Sequence, residues 1–224
     1  MSREDFQKLK GGVVKRRTRR VVGLFIDGTG LDRATRRLER KVDLSRLVSG
    51  LCAGISPAIA RYYTLVPHED DARQFAFLDA VERAGLEVVI KRLPPKGVKR
   101  QVSMDVHIAA DLVSYASGYF DSKDEENTDE EEAPRVLKLG KAAEDGASEA
   151  NGSNGSSRGK AAAKVRHVAV VVCPTREMSY AIYMCHLQGV ETHLADFGLY
   201  GASDGWKGVD RWIDLSTSET IWRD

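Results

Sequence analysis

Cysteine, net charge and long apolar runs are all scarce in this chain of 224 residues. Its three cysteines, Cys52, Cys173 and Cys185, show no Cys-x-x-Cys spacing and leave one over, which argues against both a disulfide framework and a zinc knuckle. A reducing compartment is therefore expected, and the sequence reads as cytoplasmic. Lys+Arg total 34 against Asp+Glu 33, so the net charge of +1 says nothing about a polyanionic partner. The apolar stretch Val21 to Ile26 is too short for a signal-peptide core or a membrane span, so no membrane association is expected.

Charge is present but segregated. The first 20 residues form a basic arm that ends in Lys15-Arg16-Arg17-Thr18-Arg19-Arg20, whereas 121–132 is a run of carboxylates with little basic relief. A 42% hydrophobic share supports one core of respectable size. The expected organisation is a basic arm over 1–20, a single α/β domain made of 21–120 and 165–198, an insertion over 121–164, and a C-terminal extension over 199–224. The insertion is acidic and then rich in Gly, Ser, Ala and Asn, and such a composition cannot bury enough apolar surface to offset its ordering entropy, so it is expected to be disordered. Only Val136-Leu137-Lys138-Leu139 within it has the composition to dock.

The pattern elsewhere alternates short apolar runs with amphipathic stretches. Strands are expected at Val21 to Asp27, Ile59 to Leu65, Leu86 to Lys91, Val165 to Val172 and Val190 to Ala195. Helices are expected at Asp43 to Cys52 with Asp43 as N-cap, at about Asp70 to Ala84 with Phe75, Leu78 and Val81 facing inward, and at Val102 to Tyr119 with Ser103 as cap. In that third helix Val106, Ala109, Ala110 and Val113 supply the apolar positions, and a further helix runs from about Thr175 to Gln188. Strand–helix alternation implies right-handed crossovers, hence a three-layer α/β fold with a parallel sheet and helices on both faces. Tyr62 and Tyr63 alternate across their strand, so one of them could stand exposed for base stacking, but both are expected in the core.

In open parallel sheets ligands collect beyond the carboxyl ends of the strands. Three places there carry candidate chemistry. At Phe25-Ile26-Asp27-Gly28-Thr29-Gly30 a carboxylate leaves a buried strand and two glycines let the backbone turn close to a ligand; the competing reading is that Asp27 merely caps the turn. At Asp105 a carboxylate sits in the first turn of a helix, where it also complements the helix dipole. Asp111 follows six residues later, roughly 240° around the helix, so it cannot share a face with Asp105 and is expected to support the fold. In Cys173-Pro174-Thr175-Arg176-Glu177-Met178, Thr175 is a good N-cap and Glu177 a first-turn acid, and capping alone would explain both. A thiol nucleophile at Cys173 paired with His107 or His186 is the weaker reading, because isolated cysteines on apolar elements are usually core. Gly28-Thr29-Gly30 lacks the third glycine of a dinucleotide fingerprint and the Gly-Lys-Ser/Thr of a phosphate loop.

The order of these pieces resembles the NYN family of PIN-like ribonucleases. The likeness runs from about Val21 to Gly198 and rests on Phe-Ile-Asp-Gly at 25–28, on Leu-Asp-Ala-Val-Glu-Arg-Ala-Gly-Leu-Glu-Val-Val-Ile-Lys at 78–91, and on the spacing from Asp105 to Asp111. The resemblance implies Mg²⁺ or Mn²⁺ held by Asp27, Asp105 and Glu177, with Gly28, Thr29, Asp111 and Thr175 in support, and endonucleolytic cutting of single-stranded or structured RNA. Two departures weaken that set. Gly30 stands where the family usually has Asn, and Cys173 to Met178 stands where it usually has Ser-Gly-Asp-x-Asp-Phe, so Thr175 and Glu177 replace two aspartates. Three carboxylates can still hold one hard cation, but they make a poor two-metal site. The alternative is therefore a catalytically degenerate domain that binds RNA or acts as a protein-interaction scaffold. Lys96, Lys99 and Arg100, with Arg16 and Arg17 of the arm, are the candidates for phosphate contact. The tryptophan-containing extension, with Tyr200, Trp206, Trp212 and Trp222, is expected to pack on the domain or to bind a second copy or another protein.

Overall fold

The computed structural model describes residues 19–69, 72–120, 165–198 and 205–223. The expected insertion, its Val136 to Leu139 segment, the arm with Arg16 and Arg17, and Tyr200 lie outside the described residues. Six strands, β1 (Arg19–Asp27), β2 (Ile59–Val66), β3 (Glu87–Arg92), β4 (Val165–Val172), β5 (Glu191–Asp196) and β6 (Arg211–Asp214), form one sheet in the order β3-β2-β1-β4-β5-β6. Every neighbouring pair is parallel. Successive strands move outward from β1 in one direction as far as β3. The chain then returns to lay β4 on the other side of β1, so the topological switch point falls between β1 and β4.

The helices divide by face, as an alternating α/β pattern requires. α1 (Gly28–Arg37), α2 (Leu44–Leu51) and α3 (Ala72–Arg83) cover one side, where Leu31, Ala34, Leu44, Leu47 and Val81 meet Val22, Leu24, Ile26, Val168 and Val170. α4 (Asp105–Ala116) and α5 (Ser179–Leu187) cover the other, where Ile108, Leu112, Tyr115, Ile182 and Cys185 meet Phe25, Tyr63, Ala169, Val171 and Leu194. Side chains alternate across β1 and β4, so each strand feeds both cores. That double burial is why these strands read as unbroken apolar runs. Tyr62 and Tyr63 are both buried, one in each core.

Several details differ from the sequence reading. Gly28 to Arg37 is a helix, not an extended turn, and Asp27 is its N-cap. In α4 the inward residues are Ile108, Leu112 and Tyr115, whereas Val106 is 74% exposed and Met104, not Ser103, occupies the N-cap position. α4 is apolar on more than one side, so two sets of residues fit a 3.6-residue period and only tertiary packing chooses between them. Phe75 likewise lies 50% exposed on α3, where Val81 is the buried residue. Beyond Thr175 the chain first makes a 3₁₀ helix, Arg176–Met178, and only then α5. The C-terminal extension adds β6 to the sheet and sends Leu215, Ile221 and Trp222 into the core on the α1 side. Trp206 and Trp212 are half-buried and pack against the opposite core.

Candidate functional site at the strand switch point

Parallel register levels the ends of the central strands. Ile26 pairs with Val172, Val172 with Ala195 and Ala195 with Ile213, which sets Asp27, Cys173, Asp196 and Asp214 in one row at the carboxyl edge. Three of these four are aspartates, and each accepts a hydrogen bond from the backbone N–H two residues on: Thr29 at 3.0 Å, Gly198 at 2.8 Å and Ser216 at 2.8 Å. Turn capping is thus a shared duty of these strand-end acids. Asp27 differs in being buried, with 5% of its surface exposed. Burial pushes its carboxyl above the usual range, backbone hydrogen bonds from Gly30 and Thr29 oppose that, and the nearby Asp105 charge adds to the rise while Arg33 lowers it. Asp27 is thus a buried acid beyond a central strand, at the switch point of the sheet and within reach of the Asp105 charge.

Gly28 and Gly30 are needed here for closeness rather than for a turn. A Cβ on Gly28 would lie 2.3 Å from the Tyr62 ring, and one on Gly30 would lie 2.8 Å from the Cys173 carbonyl oxygen and 2.9 Å from the Asp27 carboxylate. Tyr62 therefore lies across the first turn of α1. Its phenol is pushed up by burial, and by the charges of Asp32 and Asp27. Cys173 packs on the other side of that turn in a left-handed conformation, φ 54°, which is costly for a residue with a side chain. Its thiol is raised by burial and then by the charges of Asp27 and Asp196, so it is held protonated and is a poor nucleophile. Asp196 escaped the sequence reading, and Tyr62 was expected there only as a core residue. The only signal was their position, one residue short of register with Asp27 and at the end of an apolar strand.

The expected acidic residues divide. Asp105 lies in the first turn of α4 and its Oδ1 accepts a 2.8 Å hydrogen bond from the Thr175 hydroxyl. Thr175 precedes the 3₁₀ helix but makes no side-chain cap, so its hydroxyl is committed to Asp105 instead. Glu177 is exposed within that 3₁₀ helix. Asp111 turns to β2: its Oδ2 accepts from the Tyr63 hydroxyl at 2.8 Å and from Arg61 at 2.8 Å, while Arg61 also forks onto Glu87. Lys96, Lys99 and Arg100 are exposed in the connection from β3 to α4, on the same edge of the sheet as Asp27.

These placements test the divalent ion that the family resemblance implies. Among the described residues no group of three or more His, Cys, Asp or Glu side chains is gathered so that it could hold a metal ion. Asp105 is hydrogen-bonded to the Thr175 hydroxyl, and Glu177 is exposed.

No protein-family model matches the chain, and neither does any curated protein. Among solved structures it is similar to a protein of unknown function from Vibrio parahaemolyticus, with a TM-score of 0.59 at 10% identity over 92% of this chain and 97% of that one. The likeness is one of fold. Among the described residues no helix is long and apolar enough to cross a membrane.

Proposed function

We propose that the chain is a degenerate NYN-like domain that binds single-stranded or structured RNA at the carboxyl edge of its sheet without cutting it. The observation that carries this reading is the 2.8 Å hydrogen bond from Thr175 Oγ1 to Asp105 Oδ1. In a metal-bridged site two carboxylates tolerate one another because a cation lies between them. Here a hydroxyl donor stands at the position of one carboxylate and satisfies the other directly, which removes the need for the cation. Exposed Lys96, Lys99 and Arg100 on the same edge supply positive charge for a phosphate backbone.

One observation favours a second reading, a Mg²⁺- or Mn²⁺-dependent ribonuclease working with a single ion. The charge of Asp105 contributes, after burial, to holding the Asp27 carboxyl up, a repulsion that a bound cation would relieve. A direct comparison separates the two. Binding of a labelled single-stranded RNA, followed by fluorescence anisotropy, is expected to be the same with and without chelator, and the RNA is expected to remain intact in Mn²⁺ or Mg²⁺. Chelator-sensitive cleavage that disappears in Asp27→Asn would establish the nuclease instead. An absence of RNA binding at low salt would sink both.

A further inference from the structure

The two most exposed large apolar side chains among the described residues are Val106, 74% exposed, and Tyr180, 72% exposed. They occupy equivalent places. Val106 lies in the first turn of α4, next to Asp105, and Tyr180 lies in the first turn of α5, shortly after Thr175. The hydrogen bond from Thr175 to Asp105 ties those two turns together, and α4 packs against α5. Both helices start from the carboxyl edge of the sheet, one at the end of the connection from β3 and the other beyond the end of β4. Residues two apart on a helix point about 200° away from one another. With Ile108 and Ile182 buried against the sheet, Val106 and Tyr180 therefore point away from it.

Neither side chain serves the core, and among the described residues Tyr180 has no hydrogen-bond partner and no ring packed on it. The chain leading into α4 supplies a complementary surface: Lys96, Lys99 and Arg100 are exposed, with no side-chain bond among the described residues. A partner that fits both parts brings regularly spaced negative charge to the connection and a flat apolar face to the adjoining helix turns. A nucleic-acid duplex keeps its bases paired and stacked inside, so it offers these helices phosphates alone. A single strand offers both, because its backbone follows the cations while an unstacked base lies on an aromatic ring.

We propose that Tyr180 is a base-stacking platform for single-stranded RNA, with Val106 as its apolar flank and the connection from β3 to α4 holding the phosphates. This inference rests on the RNA-binding reading above and narrows it: the ligand is a single strand, and its bases turn toward the first turns of α4 and α5. Glu177, exposed just before Tyr180, disfavours a phosphate at that spot. The strand thus keeps its backbone over the three cations and reaches Tyr180 with a base. Stacking reads no base edge, so the platform accepts any sequence.

The test uses the full chain and compares a labelled single-stranded RNA with the duplex it forms with its complement, by fluorescence anisotropy over a salt series. The unaltered chain is expected to bind the single strand more tightly than the duplex. Tyr180→Ala is expected to weaken single-strand binding about tenfold, within the range that the loss of one base–aromatic stack gives. The factor is expected to be the same at every salt concentration, since stacking releases no counterions. Tyr180→Phe, which keeps the ring and loses the hydroxyl, is expected to bind as the unaltered chain does, and the duplex is expected to be indifferent to Tyr180→Ala. The melting temperature is expected to stay put, because the side chain is exposed. Single-strand binding that survives Tyr180→Ala, a loss that Tyr180→Phe shares, or a duplex bound as tightly and weakened as much would each overturn the stacking platform and leave RNA binding at this edge standing. An unaltered chain that binds neither form at low salt would overturn both.

Discussion

Asp27 serves two ends that compete. As N-cap of α1 it accepts from Thr29 N, and any short acceptor, Asn included, would serve there. As a buried acid it is held above its ordinary value of 3.8, so the folded chain keeps its proton at pH values where the unfolded chain has lost it. The sign follows from linkage: a carboxyl whose folded value is raised makes the folded state bind more protons, and stability falls as pH rises from the ordinary value through the raised one. Asp27→Asn keeps the cap and removes that charge. The variant is expected to melt above the parent at pH 7, with the gap closing as the pH drops below about 3.8, where both forms are uncharged. Calorimetry over that range checks it, and a variant that melts lower at pH 7 would show that the charge itself is used by the fold. Gly30 is fixed sterically beside Asp27, because a Cβ there would meet the Cys173 carbonyl oxygen and the Asp27 carboxylate, so a larger side chain could not enter without displacing the backbone of Cys173.

Among the elements, β1, β2 and β4 were legible because strands buried on both faces carry nearly unbroken runs of apolar residues, and the edge strand β3 was legible through its consecutive Val88, Val89 and Ile90. α2 was legible through Asp43, which accepts from Arg46 N as its cap. α1 was not, because Gly28 and Gly30 are poor helix formers that read as a turn, and its inward face has only Gly28, Leu31 and Ala34. β6 was hidden by its length, since Arg-Trp-Ile-Asp is too short for alternation to register. Asp105 and Asp111 were legible as a pair with separate duties, because six helical residues set them on different sides of α4. Their partners were not, since Thr175, Tyr63 and Arg61 reach them only through the sheet. Asp111 is the bolt between α4 and β2. Its removal strands a buried phenol and one side of Arg61, although Arg61 keeps Glu87. Asp111→Ala is therefore expected to cost about 2 kcal/mol, less than a buried ion pair that loses its sole partner. Urea denaturation gives the number. A change under about 0.5 kcal/mol, the level of an ordinary surface substitution, would mean that Asp111 is not structural.

At the scale of the whole molecule, net charge hides what matters. A chain with 34 basic and 33 acidic residues has no overall field to draw in RNA, so any attraction must come from the local arrangement of charge. The carboxyl edge of the sheet is where that arrangement exists: Lys96, Lys99 and Arg100 stand exposed in the connection between β3 and α4, on the edge that also carries Asp27 and the Asp105 carboxylate held by the Thr175 hydroxyl. If these three cations pair with phosphates, each pairing releases counterions, and for a single strand the logarithm of the binding constant falls with the logarithm of salt by about 0.7 per phosphate neutralised. Replacing all three by Ala is expected to weaken RNA binding at low salt and to reduce the slope by about 2, the sum for three phosphates that keep their counterions, with the two affinities converging as salt rises. Because all three side chains are exposed, the fold should be unaffected, and the melting temperature provides the control. Weaker binding with an unchanged slope would mean that the substitutions acted through shape and not charge. An unchanged affinity at every salt concentration would move the RNA surface off this edge of the sheet and leave the basic arm before β1 as its place.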